Sequence, residues 1–293
     1  MKSKLKTLED LIPRLIVTPT FLIMIIFIYG FIFWNLLLSF TNSKILPIYT
    51  FVGFKQYISL FNNTKWWLAM QNLLVFSSLF IGLCLLFGLL LAIFIDQKIR
   101  FESVFRTIYL YPMALSFIAT GTVWQWMLNP GLGLEKLVIN LGFENFTFDW
   151  IVDSQMAIYT IIIAAIWQST GFVMVLILAG LRGINYEVVN AAKIDGATMP
   201  RIYWKIIIPQ LGPVFFSAVI ILLHLAIKTF DLVIVMTKGG PGYSTILPSI
   251  FMYDYSFSRN KLAFGASSAM IMLFFVMIFV VPYLYRELKA RNG

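Results

Sequence analysis

Three side chains suggest chemistry because they interrupt an apolar run at helical spacing: His224, Lys228 and Asp231. At 100° per residue, positions i, i+4 and i+7 share one helix face within an arc of about 60°. Charges inside a membrane are costly and by default mark a route through a bundle. Two readings follow. Lys228 and Asp231 form a structural ion pair near an interface, with Lys228 snorkelling, or this face lines the path of a polar solute. A neutral polar solute would call for donors and acceptors beside aromatic faces, and Phe230, Trp167, Gln168 and Tyr159 are candidates for such a lining.

Composition excludes other chemistry. His224 is the only histidine and Cys84 the only cysteine. No disulfide within the chain, no cysteine metal site and no multi-histidine metal site can form. No paired carboxylates or nucleophile–base set stands out, which argues against an intramembrane enzyme. The Gly239-Gly240-Pro241-Gly242 run reads as a tight turn. No G-x-x-x-x-G-K-[ST] phosphate loop occurs anywhere. If ATP drives this protein, another polypeptide must split it.

The elements that position these residues belong to a membrane. Of 293 residues, 60% are hydrophobic and 12% charged, about half the charged share of a soluble domain. Mean hydropathy is +0.87. A water-facing exterior has no place for this much apolar surface, whereas a lipid-facing one does. The net charge of +9 is not a nucleic-acid signal, because the basic residues are scattered between apolar runs.

A helix crosses the bilayer with about 20 apolar residues, and six candidate spans are present. They run over residues 15–40, 69–95, 107–128, 156–180, 213–236 and 263–285. The runs are continuous rather than alternating, which argues against a β-barrel. The first is too long for a signal-peptide core, so Lys2, Lys4 and Lys6 are read as flanking a retained span. With the N-terminus inside, the inner segments hold fourteen of the 22 Lys and Arg residues. These are Lys2, Lys4, Lys6, Arg14, Lys98, Arg100, Arg106, Arg182, Lys193, Arg201, Lys205, Arg286, Lys289 and Arg291. The outer segments hold seven: Lys44, Lys55, Lys65, Lys136, Lys238, Arg259 and Lys261. This bias places both termini in the cytoplasm. Trp34, Trp66, Trp67, Trp124 and Trp126 fall near outer ends of spans, as an interfacial belt would.

The longest inner segment, residues 181–212, is built like helices rather than a loop. Asn185 can cap a helix with Glu187 in its first turn. Gly196 can end it. Thr198 and Pro200 can start a second helix, and Pro209 and Pro213 break the chain before it re-enters the membrane. Ala191, Ala192, Gly196 and Ala197 gather at the bend, where small residues permit close approach. The elbow is either a docking element or a surface loop.

The stretch Asn190-Ala191-Ala192-Lys193-Ile194-Asp195-Gly196, followed after nine residues by Ile206-Ile207-Ile208-Pro209, resembles the EAA loop of ABC importer permeases. Asn190 stands where that pattern has glutamate, and Ile208 where it has leucine. Phe230-Asp231 with residues 236–245 resembles the outer loop of the maltose-type first sugar permeases. The run Ala226–Val233, with Phe251-Met252-Tyr253 and Val281-Pro282-Tyr283-Leu284-Tyr285, is similar to glucose/mannose and α-glucoside permeases.

The resemblance implies an all-α integral membrane protein, one six-helix type I ABC importer transmembrane domain over residues 1–293. Glu187, Asn190, Ala191, Ala192, Asp195, Gly196, Ala197 and Pro209 would couple it to an ATPase. Its implied partners are a second permease subunit, an ABC ATPase dimer carrying ATP–Mg, an extracytoplasmic sugar-binding protein and the lipid of a bacterial or archaeal cytoplasmic membrane. No cofactor, metal or nucleic acid is expected on this chain. The rival is an ion-coupled secondary transporter, which would show more buried carboxylates and internal repeats.

Overall fold

A backbone that leaves water must pair its amides within its own segment, and the long apolar runs are accordingly helices. The computed structural model describes residues 16–46, 48–97 and 99–292. Lys2, Lys4, Lys6, Arg14, Leu15 and Lys98 lie outside these residues, as do the side chains of Tyr283, Leu284, Arg286 and Arg291. Among the described residues there is no strand, only an isolated bridge between Thr41 and Phe51.

In chain order the helices are α1 (Ile16–Ser39), α2 (Lys55–Phe61), α3 (Thr64–Asp96), α4 (Glu102–Ala114), α5 (Phe117–Met127), α6 (Leu134–Asn140) and α7 (Ala157–Arg182). They continue as α8 (Tyr186–Ile194), α9 (Met199–Gln210), α10 (Gly212–Lys228), α11 (Asp231–Met236), α12 (Pro248–Tyr253) and α13 (Leu262–Asn292). The chain divides into two compact units, Met1–Asn63 with Met252–Phe274, and Thr64–Phe251 with Phe275–Gly293.

In the first unit, the described part of α1 presents apolar side chains such as Phe21, Phe27 and Phe31 outward nearly all round. Lipid or another protein must cover that surface. Tyr255 packs on Phe264 with ring centroids 4.9 Å apart, and Gly265 lies against Ser256 and the Met252 carbonyl.

The core of the second unit is the pairing of α3 with α7. Small residues let the backbones approach. A Cβ on Gly88 of α3 would sit 2.7 Å from Val173 Cγ1 and 3.1 Å from the Met174 amide nitrogen. A Cβ on Gly171 of α7 would sit 1.8 Å from the Tyr109 carbonyl oxygen, so α4 lies backbone-to-backbone on α7. Trp66 is 1% exposed and packs edge-on against Phe251. It is a core aromatic, not a belt residue, whereas Trp34, Trp67 and Trp126 are exposed.

Two expected spans are not continuous. Residues 107–128 divide into α4 and α5 at Leu115–Ser116. Pro112 removes one ladder donor near the end of α4, Leu115 is extended at ψ 145°, and Ser116 Oγ accepts from the Ala119 amide at 3.1 Å to cap α5. Residues 213–236 divide into α10 and α11 at Thr229–Phe230, where Thr229 Oγ1 donates to the Leu225 carbonyl at 2.8 Å and its own backbone leaves the helix at ψ 114°. Each break frees a carbonyl that lipid could not satisfy, and a polar side chain meets it. Gln168 Nε2 donates to Leu115 O at 2.9 Å, and Ser249 Oγ donates to Thr229 O.

Candidate functional site

The elbow forms as its capping residues dictate. Asn185 Oδ1 accepts from the Glu187 amide at 2.9 Å, Glu187 lies in the first turn of α8, and Lys193 lies in the last. Gly196 takes φ +78°. Its amide donates to the Lys193 carbonyl and the Ala197 amide to the Ala192 carbonyl, both at 3.0 Å, the two bonds of a Schellman cap. Thr198 occupies the N-cap position of α9, but its side chain makes no capping hydrogen bond.

Pro209 does not break the chain. The helix runs through it to Gln210 after a π-turn at Tyr203–Ile207, which provides for the ring and the missing amide proton. The bend falls at Leu211, where α9 and α10 meet at 64°. Pro213 sits in the first turn of α10.

One side of the elbow is anchored and the other is open. Val189 and Ile202 are buried, while Glu187, Asn190, Ala191, Asp195, Gly196 and Pro209 are exposed and Ala192 and Ala197 half-buried. Ile194 is 87% exposed and Trp204 73%. A cavity of about 160 Å³ beneath the elbow is lined by Asp96, Tyr186, Val189, Lys193 and Tyr203, among others.

An ion-pair cluster at the root of the elbow joins three helix ends, and sequence reasoning missed it. Arg182 Nη2, at the end of α7, reaches Glu102 Oε1 of α4 at 2.7 Å, and its Nε lies 3.9 Å from Asp96 Oδ1 of α3. Arg106 reaches the same Glu102 oxygen at 2.5 Å. Arg182 first, then Arg106, holds the Glu102 carboxyl below the ordinary carboxylate range. The available signal was two acids, Asp96 and Glu102, at helix ends flanking a short inner turn.

The proposed path residues separate into two places. Lys228 ends α10, Asp231 begins α11 and Phe230 joins them. All three line a cavity of about 120 Å³ with Phe117, Leu225 and Leu232. Phe117 is the first residue of α5, so the two helix breaks meet at this cavity. Lys228 and Asp231 are exposed there and are not an ion pair. The expectation of a shared helix face fails because the helix stops at Lys228, and the 100° arithmetic does not cross the break. His224 is exposed one turn earlier on α10.

Trp167 and Gln168 do not line that cavity. Trp167 packs edge-on against Trp124 with centroids 6.0 Å apart and borders an apolar cavity of about 370 Å³ with Phe87, Leu91, Tyr109 and Pro112. Gln168 is 3% exposed; its Nε2 donates to the Leu115 carbonyl, while its buried Oε1 has no hydrogen-bond partner. Tyr159 is partly exposed on α7. The turn after α11 is locked by Thr245 Oγ1, which lies 2.7 Å from Thr237 Oγ1 and donates to Gly240 O at 2.8 Å. Gly239 and Gly242 take positive φ in this turn.

Two helix breaks thus meet at a small cavity that Lys228 and Asp231 line, and a capped helical elbow follows α7. Residues 84–292 match the family described as binding-protein-dependent transport system inner membrane component. The chain is 43% identical over 280 residues to a probable ABC transporter permease protein of Pyrococcus horikoshii, covering 95% of this chain and 96% of that one. It is 36% identical to the xylose/arabinose import permease protein XacH of Haloferax volcanii, covering 92% and 86%. Its fold is similar to a chain in the crystal structure of a bacterial ABC transporter involved in alginate import, with TM-score 0.80, 19% identity and coverage of 100% and 99%. The chain belongs to the binding-protein-dependent transport system inner membrane component family. It is an all-α integral membrane permease subunit, not an enzyme.

Proposed function

We infer that this chain forms half of the translocation path of an ATP-driven importer for a small neutral sugar. The observation that carries the reading is the elbow: a Schellman-capped turn with Ile194 and Trp204 exposed outside the spans supports docking on a second protein. That protein is an ABC ATPase dimer, which holds ATP–Mg; this chain carries no cofactor. A second permease subunit supplies the other half of the path. An extracytoplasmic binding protein delivers the sugar. The membrane is the bacterial or archaeal cytoplasmic membrane, with both termini inside. A reporter active only outside, fused after Leu46, checks the sidedness by giving signal there and none at the C-terminus.

ATP binding closes the ATPase dimer and moves the elbow, and the bundle alternates between outward and inward access. Asp195 to Ala197 lie at the contact, with Glu187 and Asn190 to Ala192 on the preceding helix. The breaks at Leu115–Ser116 and Thr229–Phe230 are where the path residues Lys228, Phe230 and Asp231 meet the solute, as broken helices do in other transporters. Trp167 supports the wall, and Gln168 holds the first break from behind. An ion-coupled secondary transporter is not favoured, since family membership places the chain in binding-protein-dependent systems.

The xylose/arabinose relative and the outer-loop resemblance support a mono- or disaccharide, with glucose, mannose or a small glucoside first. Deleting the chain should abolish uptake of one labelled sugar and spare phosphate esters, peptides and polyamines. Loss of phosphate-ester uptake with sugar uptake intact sinks the cargo assignment.

A further inference from the structure

A cleft of about 330 Å³ lies wholly within the first unit. It is lined by Asn42, Lys44, Gln56, Asn260 and Lys261, with Tyr255 at its back. Two hydrogen bonds tie its walls together on either side of the two lysines. The Ile45 amide donates to Asn260 Oδ1 at 2.7 Å, and the Ala263 amide donates to Ser43 O at 3.0 Å. The fold therefore brings two ammonium groups to one opening. No carboxylate lines it, and no ion pair among the described residues involves either lysine. The nearby Asp254 is already engaged by Arg259 Nε at 2.7 Å.

Beside the lysines the lining offers amide donors, together with Gln56 Oε1 and the Ser59 hydroxyl as acceptors. Asn260 uses its oxygen on Ile45, which leaves its amide protons for the cleft. Asn42 Oδ1 is within 3.4 Å of Gln56 Nε2, which leaves the Asn42 amide protons as well. Two cations, two amide donors and no acid define the complement of a carboxylate. The lining is too polar and open for the enclosed, mostly apolar pocket that a small ligand fills. Both lysines are exposed, so an incoming protein surface can reach them.

We propose that this cleft receives an acidic side chain of the extracytoplasmic binding protein and so orients that protein on the outer face. The inference rests on the importer reading above, which puts the segments before the second and last spans outside. Rim charges act chiefly on association rate and its salt dependence. The test uses the assembled importer in nanodiscs of phosphatidylcholine alone, which removes anionic headgroups. Association of the binding protein that supports uptake is followed across a salt series. The double substitution Lys44→Glu with Lys261→Glu should slow association about tenfold at low salt and flatten the salt dependence. Lys44→Gln with Lys261→Gln should give a smaller change of the same sign. Wild-type rates and salt slopes in both variants overturn the proposal while leaving the importer reading intact. Saturation of the cleft by free glucuronate, blocked by the same substitutions without any effect on binding-protein association, also overturns it. Failure of the wild type to bind any binding protein sinks both.

Discussion

Gly196 offers the sharpest perturbation, because the structure separates two effects that a bulky substitution would otherwise merge. Its φ of +78° lies in the left-handed region, which costs a residue with a Cβ about 1–2 kcal/mol. A Cβ built there meets nothing within 4 Å, so the chain itself makes no steric objection. Gly196→Ala should therefore carry the backbone term alone, weakening ATPase association by about 5- to 30-fold. Gly196→Asn should be milder, since asparagine tolerates this conformation. Gly196→Trp adds a large side chain from a Cβ that itself meets open space, at the proposed partner contact, so it should abolish association and sugar uptake. All three should insert at normal levels, because the change lies outside the spans. Asn190→Ala should be milder than Gly196→Trp. The assay is co-purification of the ATPase with each variant, alongside uptake in the same cells. If Gly196→Trp keeps both, the elbow is not the coupling element. If Ala and Trp are equally damaging, strain rather than contact is the cause.

Three further outcomes are expected. Gln168→Met keeps the side-chain volume but strips the donor from a buried carbonyl, a loss partly offset by removal of the unpartnered Oε1, and should destabilise the purified chain by about 1 kcal/mol; an unchanged melting temperature in detergent would mean that the Leu115 break needs no pin. Charge-removing changes at Lys228 and Asp231 should be additive in a double-mutant cycle on uptake, since the two are not paired, and a coupling energy near 1 kcal/mol or more would mean that they meet in another state of the cycle. Arg182 and Arg106 lower the Glu102 pKa, so those ion pairs contribute stability above the ordinary glutamate value of about 4.3. That contribution is lost as pH falls through the lower folded-state value. Acid scans of melting temperature should show a loss that Glu102→Gln reduces, and equal acid sensitivity of the two proteins would exclude the cluster as its source.

Much of this protein was legible from local chemistry. Apolar runs of membrane length had to be helices, because a backbone in lipid has no other way to pair. The elbow was equally readable, since Asn185, Glu187 and Gly196 act through caps a few residues away, and those caps formed as the residue types require. What failed was reasoning carried across distances that only packing determines. Ser116 and Pro112 were both visible, yet a helix in lipid breaks only where a partner takes the freed carbonyl, and Gln168 and Ser249 come from other elements. Lys228 and Asp231 had the spacing of one face on a continuous helix, and the break at Thr229–Phe230 removed that premise. Trp66 had the position of a belt residue until Phe251 buried it. Arg182, Glu102 and Asp96 became a cluster only when three helix ends met. The sequence by itself determined the class of element and its caps, because those energies are local. The tertiary structure decided where helices break and which charges meet, because those depend on partners that the order of residues does not bring together.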